Sequence, residues 1–191
     1  MTPWRDRALG MPAPLQLLHG DHATPRELAW VYVGALAFTG GFLVAFRQDT
    51  ASLDPLRLGV LVLAALDLAG GAIANLSPGT RAYWRSRPAS LRMTFLAVHG
   101  VHAAAVAFVF SGSGPAALLA WGWVLGAGAF LILSRGAARG DASAMALALA
   151  GVAAVHLAPG LSPAAGLLLA VLIIKLVFSF GAGGRASGTD S

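Results

Sequence analysis

Six long apolar blocks, separated by short polar or glycine- and proline-rich stretches, dominate the hydrophobic pattern of the chain. Their lengths match the roughly 20 residues that an α-helix needs to cross about 30 Å of hydrocarbon. The pattern predicts helical spans at about 25–46, 55–76, 91–110, 115–134, 141–157 and 163–180. The predicted fold class is therefore all-α, a polytopic membrane protein built as a six-transmembrane-helix bundle.

The starts of the first two spans carry helix-capping signals. Thr24 precedes a proline and is followed three positions later by Glu27, which is the spacing of a capping box. Asp54 precedes Pro55 in the same way and predicts the N-cap of the second span. These signals support helices that begin at the edges of the apolar blocks.

The regions outside the spans are short. Residues 1–23 form a polar N-terminal segment, 24–181 the six-helix transmembrane domain, and 182–191 a Gly- and Ser-rich tail that is predicted to be disordered. Within the first segment, the short apolar stretch 11–18 is interpreted either as a helix on the membrane surface or as part of a disordered tail.

Composition agrees with a membrane protein and excludes several chemistries. The chain is 57% hydrophobic and 11% charged, whereas soluble domains have about 25% charged residues. The absence of cysteine excludes disulfides, thiolate metal sites and cysteine nucleophiles. The net charge of +5 comes from loop arginines, so we do not expect nucleic acid as a partner. The Ala, Gly and Arg bias indicates a bacterial source, and hence the inner (cytoplasmic) membrane.

The arginines give the predicted spans a direction. With a cytoplasmic N-terminus, ten of the 13 basic residues lie on the inner side: Arg5, Arg7, Arg26, Arg81, Arg85, Arg87, Arg92, Arg135, Arg139 and Arg185. Arg47 and Arg57 lie outside, and Lys175 lies within a span. Because cytoplasmic loops carry an excess of Lys and Arg, both termini are predicted to be cytoplasmic. The loop from Arg81 to Arg92 is either a topology signal alone or a site for anionic lipid headgroups.

Five of the polar residues inside the predicted spans are candidates for a site: Asp67, Asn75, His99, His102 and Lys175. At 1.5 Å per residue, all except Asn75 fall in one layer near the middle of the membrane. His99 and His102 share a helix face because they are three residues apart. Asn75 lies on the Asp67 stripe, nearer the cytoplasm, where it either binds substrate or caps its helix.

This layer is the candidate site for a substrate or ion, and Asp67, His99, His102 and Lys175 are the candidate catalytic residues. A charged residue at mid-span costs about 2.5–3.5 kcal/mol. The chain tolerates Asp67 and Lys175 if they pair, if they are neutral, or if water reaches them. His99, His102 and Asp67 also form a candidate site for a divalent metal.

Three functions fit such a layer. Ionisable groups at one depth favour proton-coupled transport or proton transfer of a small solute. The first alternative is an intramembrane enzyme acting on a lipid or isoprenoid, with or without a metal. The second alternative is an accessory subunit of a larger membrane complex, in which the polar residues are structural. The sequence leaves the oligomeric state open.

Two cofactors are disfavoured. A bis-histidine haem needs histidines at matched depth, but His102 and His156 differ by roughly 10 Å. Lys175 with an acidic partner would suit a retinal Schiff base and counter-ion, but retinal proteins have one span more than this chain.

Overall fold

The computed structural model describes residues 7–134 and 140–180 of the 191-residue chain. The predicted disordered tail at 182–191 lies outside the described residues. So do four of the arginines that were used to predict topology: Arg5, Arg135, Arg139 and Arg185.

The described part of the chain is helical apart from one small hairpin. Four apolar helices are long enough to cross a membrane: α2 (Pro25–Ala45), α4 (Pro55–Ala74), the pair α6 (Ala89–Val98) and α7 (Gly100–Val109), and α8 (Gly114–Leu133). Two shorter apolar helices follow, α9 (Asp141–His156) and α10 (Pro163–Ile173), the latter continued by a π-helical turn at Ile174–Ser179. This architecture is consistent with a polytopic membrane bundle.

Short elements connect and cover these helices. Strands β1 (Leu9–Gly10) and β2 (His22–Ala23) pair in an antiparallel hairpin around helix α1 (Ala13–His19). Helix α3 (Arg47–Thr50) links α2 to α4, and α5 (Pro78–Arg85) links α4 to α6.

The two capping predictions are confirmed. At the start of α2, the Glu27 backbone N–H donates to Thr24 Oγ1 at 3.2 Å, and the Thr24 backbone N–H donates to Glu27 Oε2 at 2.7 Å. At the start of α4, the Arg57 backbone N–H donates to Asp54 Oδ1 at 2.9 Å. These side chains satisfy backbone donors that have no partner within the helix.

Helix α10 and its π turn form the centre of the bundle, surrounded by α4, α7, α8 and α9. The fully buried side chains of α10 and the π turn include Leu168, Leu169, Leu172, Ile173, Leu176 and Val177. Outward-facing positions are apolar too, as Leu63, Leu118 and Leu133 show with more than two thirds of each residue exposed. Apolar residues on both the inside and the outside of a bundle are typical of helices in lipid.

The N-terminal segment packs against one end of the bundle. Thr80 Oγ1 in α5 donates to the Leu18 carbonyl at 3.0 Å, and Trp84 Nε1 donates to the Leu17 carbonyl at 3.2 Å. The stretch 11–18 is therefore mostly helical and docked on α5, and its interpretation as a disordered tail is wrong.

Candidate functional site

Asp67 lies on α4, twelve residues after Pro55, and its carboxylate is the hub of a polar cluster. Lys175 Nζ donates to Asp67 Oδ2 at 2.5 Å and to the Asp67 carbonyl at 3.1 Å. His102 Nε2 lies 2.7 Å from the same Oδ2 atom. Of the three ways in which the sequence could tolerate mid-span charges, the structure contains the first, a direct pair between Asp67 and Lys175.

The Lys175 side chain reaches Asp67 over the surface of Gly71. A Cβ atom at position 71 would overlap Lys175 Cε and would lie 2.6 Å from Nζ. Glycine at this position therefore provides the space in which the ammonium group approaches α4. The Lys175 side chain is only 3% exposed, whereas the Asp67 side chain is 48% exposed.

The π-helical turn at Ile174–Ser179 places the Lys175 carbonyl where Asn75 can bind it. Asn75 Nδ2 donates to this carbonyl at 3.2 Å, and both groups are buried. Widened turns of this kind often occur at functional sites. Asn75 is also the C-cap residue of α4, which is the capping role that its position suggested. Substrate binding by Asn75 stays a prediction.

His99 lies at the break between α6 and α7, where the third apolar block loses its regular α-helical pattern. Its Nδ1 atom lies 2.6 Å from the Phe95 carbonyl, and the His102 backbone N–H bonds the His99 carbonyl three residues back at 3.0 Å. The side chain of His99 thus forms a hydrogen bond with the Phe95 carbonyl, one turn earlier in the same apolar block. The sequence had predicted an uninterrupted helix here.

The hydrogen bonds indicate which ring nitrogens carry protons. A carbonyl only accepts, so Nδ1 of His99 is the protonated nitrogen, and Nε2 of the neutral ring has a free lone pair. For His102, Nε2 donates to the carboxylate, while its buried Nδ1 has no partner among the described residues. The two rings stack with centroids 5.2 Å apart and an interplanar angle of 17°.

A divalent metal fits this cluster poorly. One ligand atom each from Asp67, His99 and His102 lies within 4.8 Å of the others, which is compatible with a small coordination site. However, the Lys175 ammonium group already occupies Asp67 Oδ2, and its positive charge would oppose a second cation. The metal site therefore stays a prediction.

The structure thus places the five predicted site residues in one connected group, in which Asn75 joins through the Lys175 backbone. His156 is exposed and bonds the Val152 carbonyl of its own helix at 2.9 Å.

A second polar pair near the site was not predicted from the sequence. His19 Nε2 and the Tyr32 hydroxyl lie 2.9 Å apart, and His19, the last residue of α1, is buried. Burial lowers the pKa of His19, against the opposing effect of the Glu27 charge. No signal in the sequence marked this contact, since His19 lies in a segment that contains no predicted span.

The chain thus has four apolar helices of membrane-spanning length and a polar cluster of Asp67, His99, His102 and Lys175. Comparison with protein-family models, with curated proteins and with solved structures gave no match to this chain. Its function has to be argued from the cluster itself.

Proposed function

We propose that this chain is a six-span protein of the bacterial inner membrane that takes up and releases protons at Asp67, coupled to movement of a small solute. The observation that carries the proposal is the convergence of Lys175 Nζ and His102 Nε2 on one carboxylate oxygen, at 2.5 Å and 2.7 Å. Ionisable groups that share one hydrogen-bonded site inside a membrane are typical of proton relays.

The cluster gives the proton a short sequence of carriers. Asp67 is half-exposed at the surface of the bundle, His102 bonds it from the inside, and His99 stacks on His102 towards the predicted cytoplasmic side. A proton taken up at His102 Nδ1 would release the Nε2 proton to Asp67 across their 2.7 Å contact, while Lys175 compensates the charge of the carboxylate. Each imidazole has one nitrogen that no residue in 7–134 or 140–180 bonds, and this nitrogen can accept a proton, as a relay requires.

The six-span topology extends what the helix lengths support. Helix α9 has 16 residues, and α10 with its π turn has 17, which correspond to about 24–26 Å at 1.5 Å per residue. These lengths suffice for a thinned or locally adapted bilayer. An even number of spans puts both termini on one side, which the arginine bias assigns to the cytoplasm. The transmembrane domain then comprises 24–181, and the loop from Arg81 to Arg92 faces anionic headgroups of the inner leaflet.

Proton uptake into vesicles tests the proposal. The purified protein is reconstituted with a pH-sensitive dye inside, and a potassium diffusion potential drives proton entry. We expect Asp67→Asn to reduce proton flux at least tenfold, because an amide cannot carry the proton. The control is Asp54→Asn, since asparagine caps a helix as well as aspartate does. Asp54 is the N-cap at the start of α4, remote from the cluster.

Equal proton flux into vesicles with the wild type and with Asp67→Asn would contradict the proposal. An equally strong reduction in Asp54→Asn would also contradict it, because the loss would then not be specific to Asp67. The enzyme alternative is favoured by one observation, the half-exposed carboxylate of Asp67, which a membrane lipid could reach from the side.

A further inference from the structure

A groove runs along the outer surface of the bundle between α2 and α4. Its volume is about 390 Å³, within the range of sites that hold small molecules. Its walls are apolar and include Val31 and Leu36 of α2 and Leu63 and Leu66 of α4, with Leu18 of α1 at one end. Apolar walls that face lipid would accept a hydrocarbon chain without further cost.

Two polar side chains interrupt these walls, Asp67 and Tyr32. Gly70 of α4 faces Val31 and Ala35 of α2, so Tyr32 lies about one helical turn, roughly 5 Å, from Asp67 along the groove. The polar groups thus lie in the half of the groove between Asp67 and Leu18, and the half that runs from Leu66 to Leu63 is apolar. This is the layout of a site for an amphipathic molecule with one polar end.

The Asp67 carboxylate has acceptor capacity left for such a molecule. Its described hydrogen bonds, from Lys175 and His102, both reach Oδ2. Within residues 7–134 and 140–180, no side chain donates to Oδ1, and about half of the Asp67 side chain is exposed. A carboxylate oxygen that faces hydrocarbon without a donor is costly, and a lipid acyl chain has no donor to offer.

The chemistry of this end selects a neutral donor. Ionised Asp67 would repel the phosphate of an anionic headgroup, and the buried Lys175 ammonium group behind it would oppose a cation. A hydroxyl group meets both conditions, because it carries no charge and donates one hydrogen bond. The Tyr32 hydroxyl, already held by His19 Nε2 at 2.9 Å, offers a second hydrogen-bonding group.

We infer that the α2–α4 groove binds a lipid-soluble alcohol or quinol, whose chain lies along Leu36 and Leu63 and whose hydroxyl donates to Oδ1 of Asp67. This inference rests on the proposed function, because it names the class of solute that binds beside the proton-carrying carboxylate of Asp67. Prenyl alcohols and long-chain quinols share this chemistry.

Photo-crosslinking in lipid nanodiscs tests the inference. The probes are a prenyl alcohol and a long-chain quinol, each with a diazirine in its chain, and their methyl ethers, which cannot donate. Adducts are mapped by mass spectrometry. We expect a hydroxyl probe to label residues of α2 and α4 beside the groove at least tenfold more than its ether does, and the stronger of the two probes identifies the source of the ligand.

A blocking variant locates the binding site. Leu63→Trp fills the groove and is expected to reduce this labelling at least fivefold. Leu118→Trp is the matched control, because Leu118 is exposed to a similar degree, 68% against 70%, and lies on α8 in a different groove.

Equal labelling by alcohol, quinol and ethers would overturn the inference and would show that acyl chains alone fill the groove. Labelling that Leu63→Trp leaves unchanged would also overturn it. The proposed function is judged separately, by the effect of Asp67→Asn on proton flux in vesicles that contain no probe. Selective labelling without flux would leave a lipid-binding site and remove the proton relay.

Discussion

Lys175 Nζ lies 2.5 Å from Asp67 Oδ2, although the two residues are 108 positions apart in the chain. Lys175 is also the only lysine in the sequence. The pair joins the central helix of the bundle to α4, where the half-exposed Asp67 carboxylate meets the outer surface. Its geometry depends on Gly71, Asn75 and the π turn, and each of these can be tested.

Gly71→Ala is expected to move the Lys175 ammonium group away from Asp67. The new methyl group would overlap the far end of a flexible side chain, so the fold should survive while proton flux falls at least fivefold. Gly59→Ala is the matched control on the same helix, since a Cβ there meets nothing within 4 Å. Flux and thermal unfolding in detergent are measured for both. Wild-type flux in Gly71→Ala would show that this approach of Lys175 is not required.

Replacing Asp67 alone should destabilise the protein more than replacing both members of the pair. Asp67→Leu leaves the buried Lys175 without its counter-charge, which costs about 3–5 kcal/mol. Asp67→Leu/Lys175→Met removes both charges and should recover most of that loss. Unfolding in mixed SDS and mild detergent measures the difference. A double variant no more stable than Asp67→Leu would mean that the two groups do not interact energetically.

Asn75→Ala should lower stability by about 1–3 kcal/mol, because it leaves the buried Lys175 carbonyl without its donor. Thr94→Ala serves as the comparison, since it removes an exposed hydrogen bond to the Ser90 carbonyl within the same helix and should change stability far less. Thermal unfolding of both variants provides the measurement. Similar effects in the two would show that the Asn75 contact contributes little.

We expect the protein to become less stable as the pH decreases below about 6.5, the ordinary pKa of histidine. Part of this loss should come from His19. Burial lowers the pKa of His19 in the folded protein, so the unfolded chain binds this proton more readily. Protonation therefore favours unfolding as pH decreases. Melting temperatures between pH 7.5 and 5 should show a smaller decline in His19→Gln than in the wild type. His22→Gln, at an exposed position three residues away, should keep the wild-type decline.

The topology can be mapped with single cysteines, since the chain has none of its own. In intact cells, a membrane-impermeant maleimide should label Ala51→Cys and Leu157→Cys, which lie on the predicted outer side. Ala89→Cys, on the inner side, should react only after permeabilisation. All three positions are exposed. Protection of Leu157→Cys in intact cells would reduce the number of spans from six to four.

Much of this architecture could be predicted because hydrophobic length and capping residues act locally. The capping box at Thr24, the N-cap at Asp54 and the shared depth of Asp67, His102 and Lys175 all follow from spacing along single helices. The pairing of Asp67 with Lys175 was one alternative among three, because depth alone does not determine which helix faces are neighbours.

The irregular features could not be predicted, because each depends on contacts between distant parts of the chain or on side chains that compete with the backbone. No proline marks the break at His99, where the ring nitrogen takes up the Phe95 carbonyl. The π turn around Lys175 is accompanied by an Asn75 contact from 100 residues away. The docking of α1 on α5 uses backbone carbonyls of Leu17 and Leu18, which have no signature in sequence.

Asp67 is reached from the side, through the groove between α2 and α4. This position determines which ligand concentration controls the occupancy of the site. A molecule that meets the carboxylate through that groove arrives from the bilayer, so its occupancy follows its mole fraction in lipid and not its molarity in water. Diluting the sample with buffer would leave occupancy unchanged, whereas adding empty lipid would lower it.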